Sequence, residues 1–212
     1  MYNPVHFRID DIAKIRQFIQ ANPLATIVAT QAEHSEICPV PLVWLDDGSE
    51  FGCLIGHVAR PNPLIKMADI PTWQVQFLHA GHYISPNWYP SKAQTHKEVP
   101  TWNYQAIHIY GKINFFTSNK TKLAAVGMLT KQSEQKANGA SGWKMSDAPI
   151  DYLMEELAGI IVFEITISRI IAKSKLSQNR DSRDFNSVVK ELQARGEHGV
   201  AESMLRLDRG QG

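Results

Sequence analysis

The sequence predicts a mainly β fold with peripheral helices, and three observations carry that reading. Six or so stretches are rich in β-branched and aromatic residues, several of them alternating at period two. Short loops join most of them. Helical periodicity is confined to the two ends and to gaps between strands. The pattern favours an antiparallel barrel over an alternating βαβ fold. At 212 residues, 43% hydrophobic and 20% charged, the chain has an ordinary globular composition and buries a core without staples.

Each element follows from local sequence. Asp10 is placed to cap a helix on which Ile12, Ile15, Phe18 and Ile19 share a face, and Asn22-Pro23 ends it. The stretches 24–31 and 37–45 read as strands. Asp46-Asp47-Gly48-Ser49 reads as a hairpin turn into a strand over 50–56. A short helix starts at Pro63, strand returns over 72–80, and 83–85 extends it. A polar loop covers 87–100, and a long, largely alternating strand covers 101–117. Ser118 or Asn119 caps a helix carrying Leu123, Val126 and Leu129. A Gly/Ser loop over 138–142 leads to a short helix around 150–157. Ile161, Phe163, Ile165 and Ile167 alternate in the last main strand, 159–167. After a linker over 175–180, Asp181 caps a helix with Phe185, Val188, Val189 and Leu192 inward, and Gly196 stops it. This order divides the chain into a barrel domain over 1–174 and a C-terminal helical segment over 175–212. The segment is expected to pack on the barrel or on a dimer partner.

Charge and motifs narrow the function. Twenty-two basic against 21 acidic side chains leave a net charge of +1, too balanced for a protein whose main task is wrapping nucleic acid. A slight basic excess lies beyond Arg169. The tail from Ser187 to Leu207 faintly mimics a helix-turn-helix, but Glu197, Glu202 and Asp208 oppose a phosphate-facing surface there. DNA therefore stays possible but unsupported. Cys38 and Cys53 lie in apolar, strand-like stretches and read as small buried hydrophobes of a reducing compartment. The opening MYNPVHFRIDD has no basic region followed by an apolar run, and the run from Leu157 to Phe163 is far too short to span a bilayer. A cytoplasmic location is expected. His79-x-x-His82 has no carboxylate or cysteine beside it, so no metal is assigned. His108 alternates within a strand and reads as a wall residue. Dinucleotide, Walker and nucleophile-elbow motifs are missing.

Three segments carry chemistry. In GHVARPNP (56–63), Asn62 is a good N-cap and Pro63 suits the first helical position. Free N–H groups there favour an anion, Arg60 can fork onto phosphate oxygens, and His57 and Lys66 are nearby donors. A plain strand-to-helix turn with a solvated arginine is the other reading. In YISPNWYPSK (83–92) and VPTWNY (99–104), tryptophan and tyrosine stand beside Asn, Ser and Lys. That mixture suits a flat heteroaromatic ligand, or rings that simply close the barrel end. KLSQNR (175–180) gathers donors between the last strand and a helix, either to complete a site from the side or as a solvated linker.

Together, MYNPVHF, GHVARPNP, YISPNWYPSK, VPTWNYQAIHIYG and KLSQNR resemble the PaiB-like family of FMN-binding negative transcriptional regulators. The resemblance covers most of the chain. It implies a split β-barrel of the pyridoxamine-phosphate-oxidase type, a homodimer, and FMN in the cleft between protomers. It places His57, Arg60 and Asn62 on the phosphate side, and Lys92, Trp102 and Asn103 near the flavin ring. Lys175, Gln178 and Asn179 would arrive from the other protomer. Catalytic residues are not identified. The alternative is an FMN-dependent oxidoreductase acting on a small molecule without direct DNA binding. Pro61 departs from the family pattern, where a small residue is usual, and removes one N–H donor. Residues 131–149 match no part of it.

Overall fold

The computed structural model describes residues 1–207. Eight strands form one sheet in the order β3-β2-β6-β7-β8-β5-β4, with β1 beside β8. They are β1 (Arg8–Ile9), β2 (Leu24–Gln31), β3 (His34–Pro41), β4 (Val43–Leu45), β5 (Cys53–Ala59), β6 (Trp73–Ile84), β7 (Thr101–Phe116) and β8 (Ile160–Lys175). The helices are α1 (Ile12–Ala21), α2 (Lys92–Thr95), α3 (Asn119–Asn138), α4 (Ile150–Ala158), α5 (Ser182–Ala194) and α6 (His198–Leu205). The expected class, mainly β with peripheral helices, is what forms. The chain gathers into two compact units. The first holds 16–77 and 108–170; the second holds 1–15, 78–107 and 171 onward.

In the first unit, β2 and β3 pair antiparallel from Leu24 opposite Pro41 to Gln31 opposite His34. Ala25, Ile27 and Ala29 of β2 point to the core, as period-two burial requires. The stretch read as one strand over 37–45 breaks at Leu42, whose N–H turns away to Pro23 O at 2.9 Å. Pro39 and Pro41 explain why β3 lies at the end of the sheet order, since neither can donate to a further strand. β4 and β5 form the next hairpin, with Val43 opposite Ile55. Its loop is longer than the expected four-residue turn. Asp46 and Asp47 accept from the N–H groups of Gly48 and Ser49, and Trp44 Nε1 donates to Phe51 O at 2.8 Å.

β5 then pairs antiparallel with β8, Cys53 opposite Thr166 and Ala59 opposite Ile160. At Gly56 a Cβ would meet Leu42 Cδ2 at 2.6 Å and Phe163 Cζ at 2.7 Å, so the glycine of the GHVARPNP segment is required by packing. Trp73, Phe115 and Phe163 meet edge to face in the core. Ser118 caps α3 by accepting from Thr121 N, and Ala125 of that helix packs against Cys53, Ile55 and Val162.

The second unit is built on the far ends of β6, β7 and β8. Arg8 of β1 pairs opposite Lys173 of β8. β8 thus runs eight residues past the stretch read as strand from alternation. A cluster of Ile84, Trp88, Leu176, Phe185, Leu192 and Met204 forms the core under α5 and α6. Asp181 caps α5 through the Asp184 N–H, and the buried Asp184 carboxylate accepts from Ser91 N and Oγ.

Candidate functional site

In the first unit, the candidate phosphate side forms where β5 ends. His57 is half-buried, and burial lowers its imidazole below the usual histidine range. Asn62 caps a five-residue 3-10 turn, Pro63–Met67, and its Oδ1 already holds the Leu64 N–H at 3.0 Å. The turn therefore offers fewer free N–H groups than a long helix would. Asn62 Nδ2 also reaches Cys38 Sγ at 3.6 Å. Cys38 is half-buried rather than fully enclosed, unlike Cys53.

Arg60 carries the charge. Its Nε donates to Ala158 O at 2.9 Å, and Lys122 Nζ donates to Leu157 O at 2.7 Å. Two cations thus face the carbonyl end of α4, where the helix dipole favours them. Arg60 is exposed and has no carboxylate partner among the described residues. Lys122 is fully buried; burial, then the charge of Arg60, lowers its ammonium pKa. The exposed Arg60 guanidinium lies near a second positive charge, which suits a phosphate dianion.

The remaining candidates fall in the second unit. Trp102 is 56% exposed and meets the 41% exposed Tyr83 edge-on at 6.3 Å. Such open ring faces suit a planar heteroaromatic group. Lys92 Nζ donates to Asn87 Oδ1. Asn103 is fully buried, accepts from Ser177 Oγ at 3.0 Å and donates toward Met204 Sδ. Gln178 spends its amide on the backbone, accepting from Leu176 N and donating to Ser174 O and His6 O. It clamps the N-terminal segment, a role its place in a donor-rich motif did not reveal. Asn103, Lys175 and Asn179 come together on one pocket of about 150 Å³. Tyr89 and Arg180 line it as well, residues that lie within the candidate segments but were not singled out as site residues from the sequence.

Other features found no role in the sequence reading. His82 stacks on Trp88 at 5.8 Å and its Nε2 lies 3.7 Å from Glu197. Residues between 127 and 145, a stretch the sequence reading left without a family counterpart but which lies inside the 1–169 family match, line a mostly apolar groove of about 860 Å³ that includes Trp143 and Met145. Glu134 fixes its rim by accepting from Asn138 Nδ2 and Trp143 N, which holds its carboxyl below the usual range. Asp208 of the tail lies outside the described residues.

The model of the family described as "Putative FMN-binding domain" matches residues 1–169. The chain belongs to this FMN-binding family. A relative of the FMN-binding chain, "Protease synthase and sporulation protein PAI 2" of Bacillus subtilis (strain 168), is 31% identical over 208 residues. That alignment covers 98% of this chain and 96% of the relative. Among solved structures, the flavocytochrome Anf3 from Azotobacter vinelandii matches with a TM-score of 0.58 at 12% identity, over 85% of this chain and 75% of its own. The FAD and heme binding protein from Mycobacterium smegmatis matches with a TM-score of 0.56 at 13% identity, over 79% and 73%. At such identities the likeness shows the fold, a flavin-binding split β-barrel. The resemblance to PaiB-like proteins read from the sequence therefore holds, and FMN is the cofactor of the family. No helix among the described residues is long and apolar enough to cross a membrane.

Proposed function

We propose that this FMN-binding protein acts as a negative transcriptional regulator, and that it binds FMN as a homodimer in the cleft between protomers. The phosphate end is assigned to Arg60, with His57 and Asn62 shaping the turn beside it. The ring end is assigned to Trp102, Lys92 and Asn103, with Lys175 and Asn179 beside Asn103 on the same chain rather than from the other protomer, and Gln178 holding their segment in place. Bound FMN supplies a planar, redox-active ring. The carrying observation is the exposed Arg60 guanidinium, without a carboxylate partner among the described residues and next to the buried charge of Lys122. The relative's name, with its reference to protease synthesis and sporulation, supports a regulatory role over the oxidoreductase alternative.

An FMN titration followed by visible absorbance and flavin fluorescence tests the assignment. Wild type should saturate. Arg60→Ala should bind about tenfold to hundredfold more weakly, the worth of one charge-assisted contact. Its melting temperature is read alongside, because the substitution also removes the bond to Ala158 O. Equal affinity in a folded variant would move the phosphate elsewhere. Random duplex DNA should bind weakly and be released steeply by salt; salt-resistant, sequence-selective retention of a promoter fragment would show that the tail reads DNA directly.

A further inference from the structure

The second unit holds a pocket too small to enclose a flavin ring system. Its volume is about 150 Å³. That is about five waters' share of the liquid, and it falls below the roughly 300–1,000 Å³ of pockets for drug-sized ligands. A tricyclic ring does not enter it; a molecule of a few non-hydrogen atoms does.

The pocket is short of negative charge. Lys175 reaches into its wall and donates to Thr101 Oγ1, with no carboxylate partner among the described residues. Arg180 also lines the pocket, paired with Glu98 at 2.6 Å. Lys173, just behind, is buried against the Tyr2 carbonyl. Burial lowers the Lys175 ammonium below the usual lysine range; Tyr104 opposes the shift, and Lys173 and Arg180 add to it.

A second observation is independent of charge. Tyr89 is 2% exposed, lines the same pocket, and its hydroxyl has no hydrogen-bond partner among the described residues. Ser177 and Arg180 stand near enough to ease the effect of burial on its ionisation but do not meet hydrogen-bond geometry. A buried hydroxyl left unpaired costs stability unless something else pairs it. Val99 and Pro100 supply an apolar wall.

We propose that this pocket binds a short-chain monocarboxylate, its carboxylate held by Lys175 and the Tyr89 hydroxyl and its tail by Val99 and Pro100. The site goes beyond flavin binding, although Asn103, Lys175 and Asn179 figure in both readings.

Titration calorimetry with butyrate tests the proposal, with butyramide as the neutral isostere. Butyrate should bind saturably and butyramide should not. Lys175→Gln should weaken butyrate about tenfold to hundredfold, and Tyr89→Phe about threefold to tenfold. Tyr89→Phe removes only a hydroxyl without a hydrogen-bond partner among the described residues, so the fold tolerates it and the test survives a failure of the lysine variant. Absence of saturable butyrate binding, equal binding of butyramide, or affinity unchanged in both variants would overturn the proposal. Saturable inorganic phosphate binding without butyrate binding would overturn it as well. FMN binding is read separately by visible absorbance. Butyrate binding without FMN binding refutes only the flavin reading, and the converse refutes only the carboxylate site.

Discussion

Burial, followed by the nearby charges of Glu164 and Asp47, pushes the Cys53 thiol up to about 12. Cys38 is half-buried and reachable. In native protein at pH 8, a thiol-disulfide reagent should therefore label Cys38 quickly and Cys53 only on unfolding; two equally fast thiols would contradict this. The signs of the two buried titrations differ. Cys53 holds its proton more tightly folded than unfolded, so its contribution is full below the ordinary thiol value of about 8.5 and is lost as pH climbs toward the folded value. Lys122 holds its proton less tightly folded than unfolded. Its contribution grows as pH rises through its lowered value toward the ordinary lysine value. Urea midpoints of wild type and Lys122→Met should therefore diverge as pH rises toward the ordinary lysine value, with wild type gaining relative to the variant. Composition marks neither side chain as special. Alternation placed Cys53 in a strand, but Glu164, the first charged neighbour that raises its thiol, comes from a strand more than a hundred residues away.

Elements were most legible where a cap or a strict alternation marked them. Ser118, Asp181 and Gly196 stand where local sequence put them, because caps act through bonds two or three residues away. Asp181→Ala should lower unfolding free energy by about 1 kcal/mol, read from urea melts. Where pairing partners are distant, the local signal gave out. β8 reaches Lys175, although the clear alternation ends near Ile167, because its later residues are held by β1 from the other end of the sequence. Gly111 is the plainest case of long-range demand. A Cβ there would lie 2.2 Å from Thr166 O, so Gly111→Ala must push β7 from β8. The melt should fall by about 1–3 kcal/mol, the usual cost of overpacking; an unchanged melt would show that the strands yield freely. The GHVARPNP segment was found for its chemistry, yet Gly56 is held by Leu42 and Phe163, which only the folded sheet brings together.

For the whole molecule, the motifs were legible but their grouping was not. MYNPVHF, YISPNWYPSK and KLSQNR lie far apart in the chain and meet in one compact unit. Removing residues 175 onward would strip Leu176, Phe185, Leu192 and Met204 from the cluster around Ile84 and Trp88. The truncated chain is expected to bind a hydrophobic dye strongly and to aggregate. A soluble, dye-silent product would show that the segment is dispensable. Light scattering of the intact protein should give a mass twice that of the chain; a monomer at micromolar concentration would remove the shared-cleft model for FMN.

The bonds from Asn3 to Ala172, Lys173 to Tyr2 and Gln178 to His6 join residues 169 to 172 positions apart. A ribosome adds about 5–20 residues per second, so the opening segment waits roughly ten to thirty seconds for its partners to be made. Until then Phe7 has no core to enter. Docking of residues 2–6 is therefore tied in time to the synthesis of residues 172–178.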